Sequence, residues 1–331
     1  MCSYGCSQGF WSTLGPMRPR RHQQNSSPDS SEHQANVARY PMAANINRIL
    51  PKRRTHSPLQ AGRHAVITGG SSGLGLALAE DLARRHLQVT LIARDRERLD
   101  AAGDRIRAAV PEAVVRLHPI DVTDADAVAA AIDDAAADAG GIDMLINSAG
   151  ILREGYFEEL SDTVFRTTMD INFFGIVNTT RAALGYLKQS GGRIVNIGSL
   201  GGLMGGFGLT AYGAAKHALT GFSESLRLEI EPRGVTVQLV CPAEFDSPMV
   251  DVLNTYRTPE NRAVVTSFPV LGIDQVAREI IAGIERGDPL IIPGSVVRMS
   301  WRVARLAPGL VRRLLQRKIA GVYQGPSSAV G

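Results

Sequence analysis

The stretch VITGGSSGLGLALAEDLARR, Val66–Arg85, leaves an apolar strand, turns through glycine and serine, and continues as an alanine- and leucine-rich helix. Gly69, Gly73 and Gly75 fall in the turn with the spacing G-x-x-x-G-x-G. Glycines at a strand-to-helix turn permit a tight reversal and let the backbone approach a pyrophosphate, which then rests on the N–H groups of the helix N-terminus. A glycine motif by itself is weak evidence. Placed between a strand and a helix, it has the context that a dinucleotide site requires. Ser71, Ser72 and Leu74 complete the turn and are expected to touch the same ligand.

Outward from this turn the chain repeats one pattern. Short apolar segments, HAVIT (64–68), QVTLIA (88–93), VVRLHPI (114–120), DMLIN (143–147), RIVNIG (193–198), TVQLV (236–240) and PLIIP (289–293), alternate with segments at helical spacing. Strands that are apolar almost throughout, separated by helices, predict a parallel sheet covered on both faces. The expected fold is therefore α/β: a single Rossmann-type, doubly wound parallel sheet of about seven strands. It should span 61–294, with a lid over the ligand cleft at 243–270, since insertions after a carboxyl-end strand cover the cleft.

The 331 residues are 44% hydrophobic and 21% charged, an ordinary globular composition. No run of about 18 apolar residues occurs, which argues against a spanning helix. Cys2, Cys6 and Cys241 show neither a disulfide framework nor zinc spacing, so no metal is expected and a reducing, cytoplasmic setting fits. The net charge of +4 is unevenly spread. Residues 1–60 hold eight Lys/Arg against two acids, and residues 289–331 hold seven against none, which leaves the body acidic. An acidic body argues against nucleic acid as a partner. Residues 1–60 lack periodicity and read as a disordered basic extension without the apolar core of a signal peptide; Met42 is a candidate start.

The second strand runs into TLIARDRERL. A free ribose 2′-hydroxyl is usually met here by an acid and a 2′-phosphate by a cation. Arg94 comes first after the strand, and its fork of donors suits phosphate, so NADP(H) is the expected cofactor. Asp95, which follows, also suits a helix cap. DVTD (121–124) and NSAG (147–150) end the third and fourth strands at the edge where ligands bind. Asp121 and Val122 are expected at the adenine, and Asn147, Ala149 and Gly150 on the ribose side. Capping and turn roles suit these residues equally.

SLGGLMGGFGLTAYGAAK, Ser199–Lys216, carries the candidate chemistry. An isolated phenol has a pKa near 10 and is a poor proton shuttle at neutral pH. A cation close by favours the phenolate. Lys216 stands four residues after Tyr212, on the same helix face, and the pair forms a tunable acid/base. Ser199, at the end of the fifth strand, can donate to a substrate carbonyl. It lacks the G-x-S-x-G elbow of a hydrolase.

Taken together, the glycine turn, NSAG, MDINFFG (169–175), Ser199 and YGAAK (212–216) resemble the short-chain dehydrogenase/reductase family over roughly 61–290. The resemblance implies Tyr212 as proton donor to a ketone, Lys216 as modulator of Tyr212 and holder of the nicotinamide ribose, and Ser199 as carbonyl stabiliser. It implies Asn172 as the organiser of a relay water, against the alternative of a buried capping asparagine. In CPAEFDSPM (241–249), Pro242 matches the family, Ala243 replaces its glycine, and Ser247 stands at the spacing of a threonine that meets the nicotinamide amide. Several segments resemble the 3-ketodihydrosphingosine reductase branch, which reduces a long-chain 2-amino-3-ketone with NADPH. Other lipophilic ketones, such as 3-oxoacyl chains, steroids and retinoids, stay open as substrates. The resemblance also implies a homodimer or homotetramer formed through the helices that bear Asn172 and Tyr212.

The tail 295–331 is basic and amphipathic, and Pro308–Gly309 should break it into two helices. Such a segment suits peripheral contact with an anionic membrane face, or packing on its own domain or a partner subunit.

Overall fold

The computed structural model describes residues 59–324, so the expected extension over 1–60 lies almost wholly outside the described residues. Seven parallel strands form one sheet: β1 (His64–Thr68), β2 (Gln88–Ala93), β3 (Val115–Pro119), β4 (Met144–Asn147), β5 (Arg193–Ile197), β6 (Thr236–Val240) and β7 (Leu290–Ile291). Their order is β3-β2-β1-β4-β5-β6-β7. The winding reverses between β1 and β4, and a crevice opens beyond their carboxyl ends at such a point.

Helices α1 (Gly73–Arg84), α2 (Arg96–Ala109) and α3 (Ala125–Ala139) connect the first four strands. After β4 come α4 (Asp162–Met169), a π-helical turn at Asp170–Phe174, and α5 (Gly175–Ser190). Helix α6 (Thr210–Ile230) joins β5 to β6, and α7 (Pro248–Asn254), α8 (Pro259–Val265) and α9 (Ile273–Arg286) precede β7. The chain continues as α10 (Ser295–Leu306) and α11 (Pro308–Gln324), broken where Pro308 cannot donate a backbone hydrogen bond.

The strands are buried on both sides, and the two-residue period decides which core each side chain enters. Ala65, Ile67, Met144 and Ile146 pack on one face, towards α1, α2 and α9. Val66, Leu145, Ile194 and Val237 pack on the other, with Val128, Ile132, Ala183 and Leu187 of α3 and α5. A third cluster joins Leu219, Leu239, Ile292 and Val297, and fixes the start of α10 to the sheet edge. The tail is thus packed on its own domain from its first turn.

Candidate active site

A cavity of about 530 Å³ occupies the crevice. One end is made of backbone. Gly73, with φ +55°, opens α1 and has no heavy atom within 4 Å of where a Cβ would stand. Gly75 faces the carbonyl of Gly69 so closely that any side chain would collide with it. Ser72 precedes α1 in extended conformation and makes no side-chain capping bond, so the first N–H groups of the helix, on residues that line the cavity, have no side-chain cap. Ser148 N and Ala149 N both donate to Thr68 Oγ1 at 3.1 Å, which locks the β4 loop to the glycine turn.

Arg94 stands at the cavity wall with its side chain 62% exposed, 3.5 Å from Asp121 Oδ2. Asp95 caps α2, accepting from Arg98 N at 3.0 Å, so the capping alternative holds for that residue. Arg98 lines the same wall one turn after Arg94. Sequence reasoning passed over it, although its i+4 spacing from Arg94 was a usable signal. Asp121 Oδ1 accepts from Thr123 N and Oγ1, which shapes the loop before α3.

At the other end, Ser199, Tyr212 and Lys216 converge. Ser199 is extended and its Oγ accepts from Gly201 N at 3.1 Å. Leu200 N donates to Pro242 O at 2.8 Å, so the ends of β5 and β6 are held together beneath the serine. Tyr212 and Lys216 occupy the first two turns of α6, with Lys216 Nζ 5.8 Å from the centre of the phenol ring. Lys216 is only 4% exposed, and Nζ donates to Ile197 O at 2.8 Å.

The electrostatics correct one expectation. Lys216 was expected to draw the phenol's pKa down. Burial dominates instead and pushes Tyr212 up, while the hydrogen bond with Ser199 acts in the opposite direction. Burial also brings the Lys216 ammonium down to about 8. Neutral Cys241, whose thiol burial pushes up to about 12, lies beside them.

Most of the residues singled out by sequence line this one cavity: Gly69, Ser71, Ser72, Gly73, Leu74 and Gly75 of the turn, Arg94, Asp121 and Val122, Ala149 and Gly150, Pro242 and Ser247, and the Ser199–Tyr212–Lys216 set. Two do not. Asn147 is fully buried beneath the sheet edge, where Nδ2 donates to Asn196 Oδ1 at 2.8 Å and Oδ1 accepts from Thr179 Oγ1 at 2.7 Å. Its side chain joins β4, β5 and α5. Asn172 lies in the π-helical turn and brackets one residue, donating to Ile151 O and accepting from Ile151 N, both at 2.8 Å. These bonds tie the turn to the chain just after Gly150, and Asn172 Oδ1 shapes the wall at Gly150 from behind.

The seven-strand parallel order, the glycine turn and the serine–tyrosine–lysine convergence have a counterpart in known proteins: residues 63–258 match the family model described as short chain dehydrogenase. This chain belongs to the short-chain dehydrogenase/reductase family. Among reviewed relatives of this oxidoreductase, 3-ketodihydrosphingosine reductase of Bos taurus is 34% identical over 231 residues, covering 69% of this chain and 70% of that protein. An 11-beta-hydroxysteroid dehydrogenase A of Sesamum indicum is 33% identical over 250 residues, covering 73% and 71%. A short-chain dehydrogenase/reductase of Burkholderia phymatum, solved in complex with NAD, superposes with a TM-score of 0.67 at 26% identity, covering 76% of this chain and 95% of that one. Within the family, this chain is most like the 3-ketodihydrosphingosine reductase branch.

Proposed function

We propose that the protein is an NADPH-dependent carbonyl reductase that reduces a long-chain lipid ketone, with 3-ketodihydrosphingosine as the leading substrate. The observation that carries this reading is the continuity of one cavity. It runs from the N-terminus of α1, which has no side-chain cap, past Arg94 and Arg98, to the Ser199–Tyr212–Lys216 set, and ends at the apolar side chains Val264, Phe268 and Leu315. A helix N-terminus with a side-chain-free approach suits a pyrophosphate, and two guanidinium groups at the adjoining wall suit a 2′-phosphate. These residues fit a nicotinamide dinucleotide.

When bound, the nicotinamide supplies the hydride. The chain's own groups do the rest. Ser199 donates to the substrate carbonyl oxygen, and Tyr212 gives that oxygen its proton. A phenol whose pKa is raised by burial keeps its proton at neutral pH, which suits a donor in the reductive direction. Lys216, still mostly charged at pH 7, favours the phenolate left behind and holds the ribose. Pro242 and Ser247, which line the cavity, orient the nicotinamide amide, with Ser247 fixed by capping α7 through Val250 N. Asn172 organises the relay water beside Lys216.

Segment 243–270 serves as the lid, anchored by Glu154, which accepts from Thr258 N at 3.1 Å and from Thr258 Oγ1 at 2.5 Å. Among the described residues no helix is long and apolar enough to cross a membrane. Peripheral contact from the cytoplasm is supported by the outer face of the tail. Val296, Met299, Val303 and Leu306 form an exposed stripe on α10, continued by Leu310 and Leu314 and flanked by arginines. Exposed Phe174 and Leu228, on the turn before α5 and on α6, support a homodimer or homotetramer through those helices.

The 11-beta-hydroxysteroid dehydrogenase relative supports a second reading, in which the ketone is a steroid. Oxidation of NADPH against 3-ketodihydrosphingosine, 3-oxoacyl thioesters and 3-ketosteroids separates the two. The proposal expects the highest kcat/KM with 3-ketodihydrosphingosine. A protein that binds NADPH and turns over no ketone would instead be a cofactor-binding scaffold.

A further inference from the structure

Behind the catalytic cavity lies a second one, of about 750 Å³. Leu203, Phe207, Leu239 and Leu290 form its floor, and Trp301 of α10 with Val311 and Ile319 of α11 form its roof. Its charged groups, among them Glu224 and Arg312, stand among these apolar side chains. This compartment exists because the tail is folded back. Val311, Leu315, Ile319 and Val322 recur at helical spacing and are the half-buried side chains of α11, whereas Leu310 and Leu314 face outward.

Four residues belong to the walls of both cavities: Met204, Gly205, Val264 and Leu315. The partition is therefore one layer of side chains. Met204 is unbranched and changes shape easily, and Gly205 has no heavy atom within 4 Å of a Cβ position. Met204 beside that gap is the side chain whose rotation would join the two spaces.

We infer that the second cavity takes the alkyl chain of the substrate whose carbonyl lies at Tyr212, with Met204 and Leu315 as the gate and α11 as the roof of the chain channel. This rests on the reading of the first cavity as a carbonyl-reducing site. The first cavity already has to hold a dinucleotide and a ketone head, so a long chain needs another compartment. The second is apolar, adjoins the first, and begins on the side away from the glycine turn. It lies beneath the two helices whose outer face carries the exposed apolar stripe, so a lipid leaving a membrane surface would reach it directly. Each methylene moved from water into such a site strengthens binding by up to about fourfold. Chain length then becomes the property this compartment selects.

Two measurements test the channel, one of them independent of turnover. The sequence holds two tryptophans, Trp11 and Trp301, and Trp301 stands in the channel wall. In full-length Trp11→Phe protein, ω-bromododecanol should quench Trp301 fluorescence saturably and ω-bromobutanol should not. Absence of quenching, or equal quenching by both alcohols, overturns the inference. The second arm uses Ala304→Phe, which fills the second cavity from a position that does not line the first. The ratio of kcat/KM for a hexadecyl 2-amino-3-ketone over its butyl counterpart should fall at least tenfold. A folded variant with an unchanged ratio contradicts the channel. Failure of the wild type to reduce any ketone would defeat the catalytic reading alone, and the quenching result would still decide the cavity.

Discussion

The two ends of the catalytic cavity are built from different materials. At the glycine turn the wall is backbone, set by the parallel register of β1 with β2 and β4: Gly69 N donates to Ile92 O at 2.8 Å, and the β4 loop is pinned to Thr68. At the far end the wall is side chains from segments remote in sequence, with Met204 after β5, Val264 and Phe268 of α8 and the turn that follows it, and Leu315 of α11 meeting there. A backbone wall admits one shape and binds one kind of ligand. A side-chain wall can be refitted while the sheet stays as it is. Such a division lets one fold hold a constant cofactor beside a variable substrate.

The comparison breaks most visibly at the junction of the two ends, where Lys216 sits. Replacing Lys216 with Met should lower kcat/KM by about 10²–10⁴-fold, the usual range for losing a group that supports general acid catalysis. Stability should move the other way. The ammonium titrates at about 8 in the folded protein against about 10.5 in the unfolded chain. The unfolded state therefore binds more protons between these values, and stability rises as pH climbs through that window. The penalty is fully present below about pH 8 and amounts to about 3 kcal/mol. Cys241 titrates at about 12, above the ordinary thiol value, and lowers stability above about pH 9. The difference between wild type and Lys216→Met isolates the lysine. Urea midpoints from pH 7.5 to 10 should show the variant at least as stable at the low end, with the advantage vanishing at the high end.

Gly75→Ala probes the backbone wall. Its Cβ would meet the Gly69 carbonyl, so the turn must shift. Affinity for NADPH should drop at least tenfold and Tm should fall by several degrees, measured by fluorescence titration and thermal melting. An equivalent Leu315→Ala change in the other wall should leave NADPH affinity intact. Arg94→Asp sharpens the assignment within the backbone wall. It should weaken NADPH and improve NADH, by about tenfold in the ratio of their kcat/KM values, with Arg98 retaining part of the preference. Smallest is the effect of Leu306→Glu with Leu310→Glu on the outer face of the tail. Turnover of a water-soluble ketone should be unaltered, while binding to anionic liposomes should fall severalfold in a flotation assay. Equal binding would remove the membrane role.

The sheet and the glycine turn were legible because their causes are local. Seven apolar runs at the right intervals forced a parallel sheet, and G-x-x-x-G-x-G had to occupy a strand-to-helix turn. Ser199, Tyr212 and Lys216 were legible for the same reason, since one strand end and one helix face position all three. Asn147 was placed in the site by its strand-end position and Asn172 by resemblance, and their side chains face Thr179, Asn196 and Ile151. An amide can serve a ligand or a neighbouring peptide equally well, and sequence does not separate the two. The pKa of Tyr212 was read from its cationic neighbour, although burial, which no spacing reveals, has the larger effect. The packing of α11 against α8, and with it the second cavity, depends on which face of an amphipathic helix turns inward. A stripe on each face left that open until the tertiary structure chose Leu315 and Ile319 over Leu310 and Leu314.

The proposed role of the phenol as proton donor is tested most directly by Tyr212→Phe, which deletes one oxygen and keeps the ring. Reduction of 3-ketodihydrosphingosine by NADPH should fall by about 10²–10⁴-fold, with NADPH still bound at near wild-type affinity in a fluorescence titration. A variant that reduces the ketone at the wild-type rate would contradict the account.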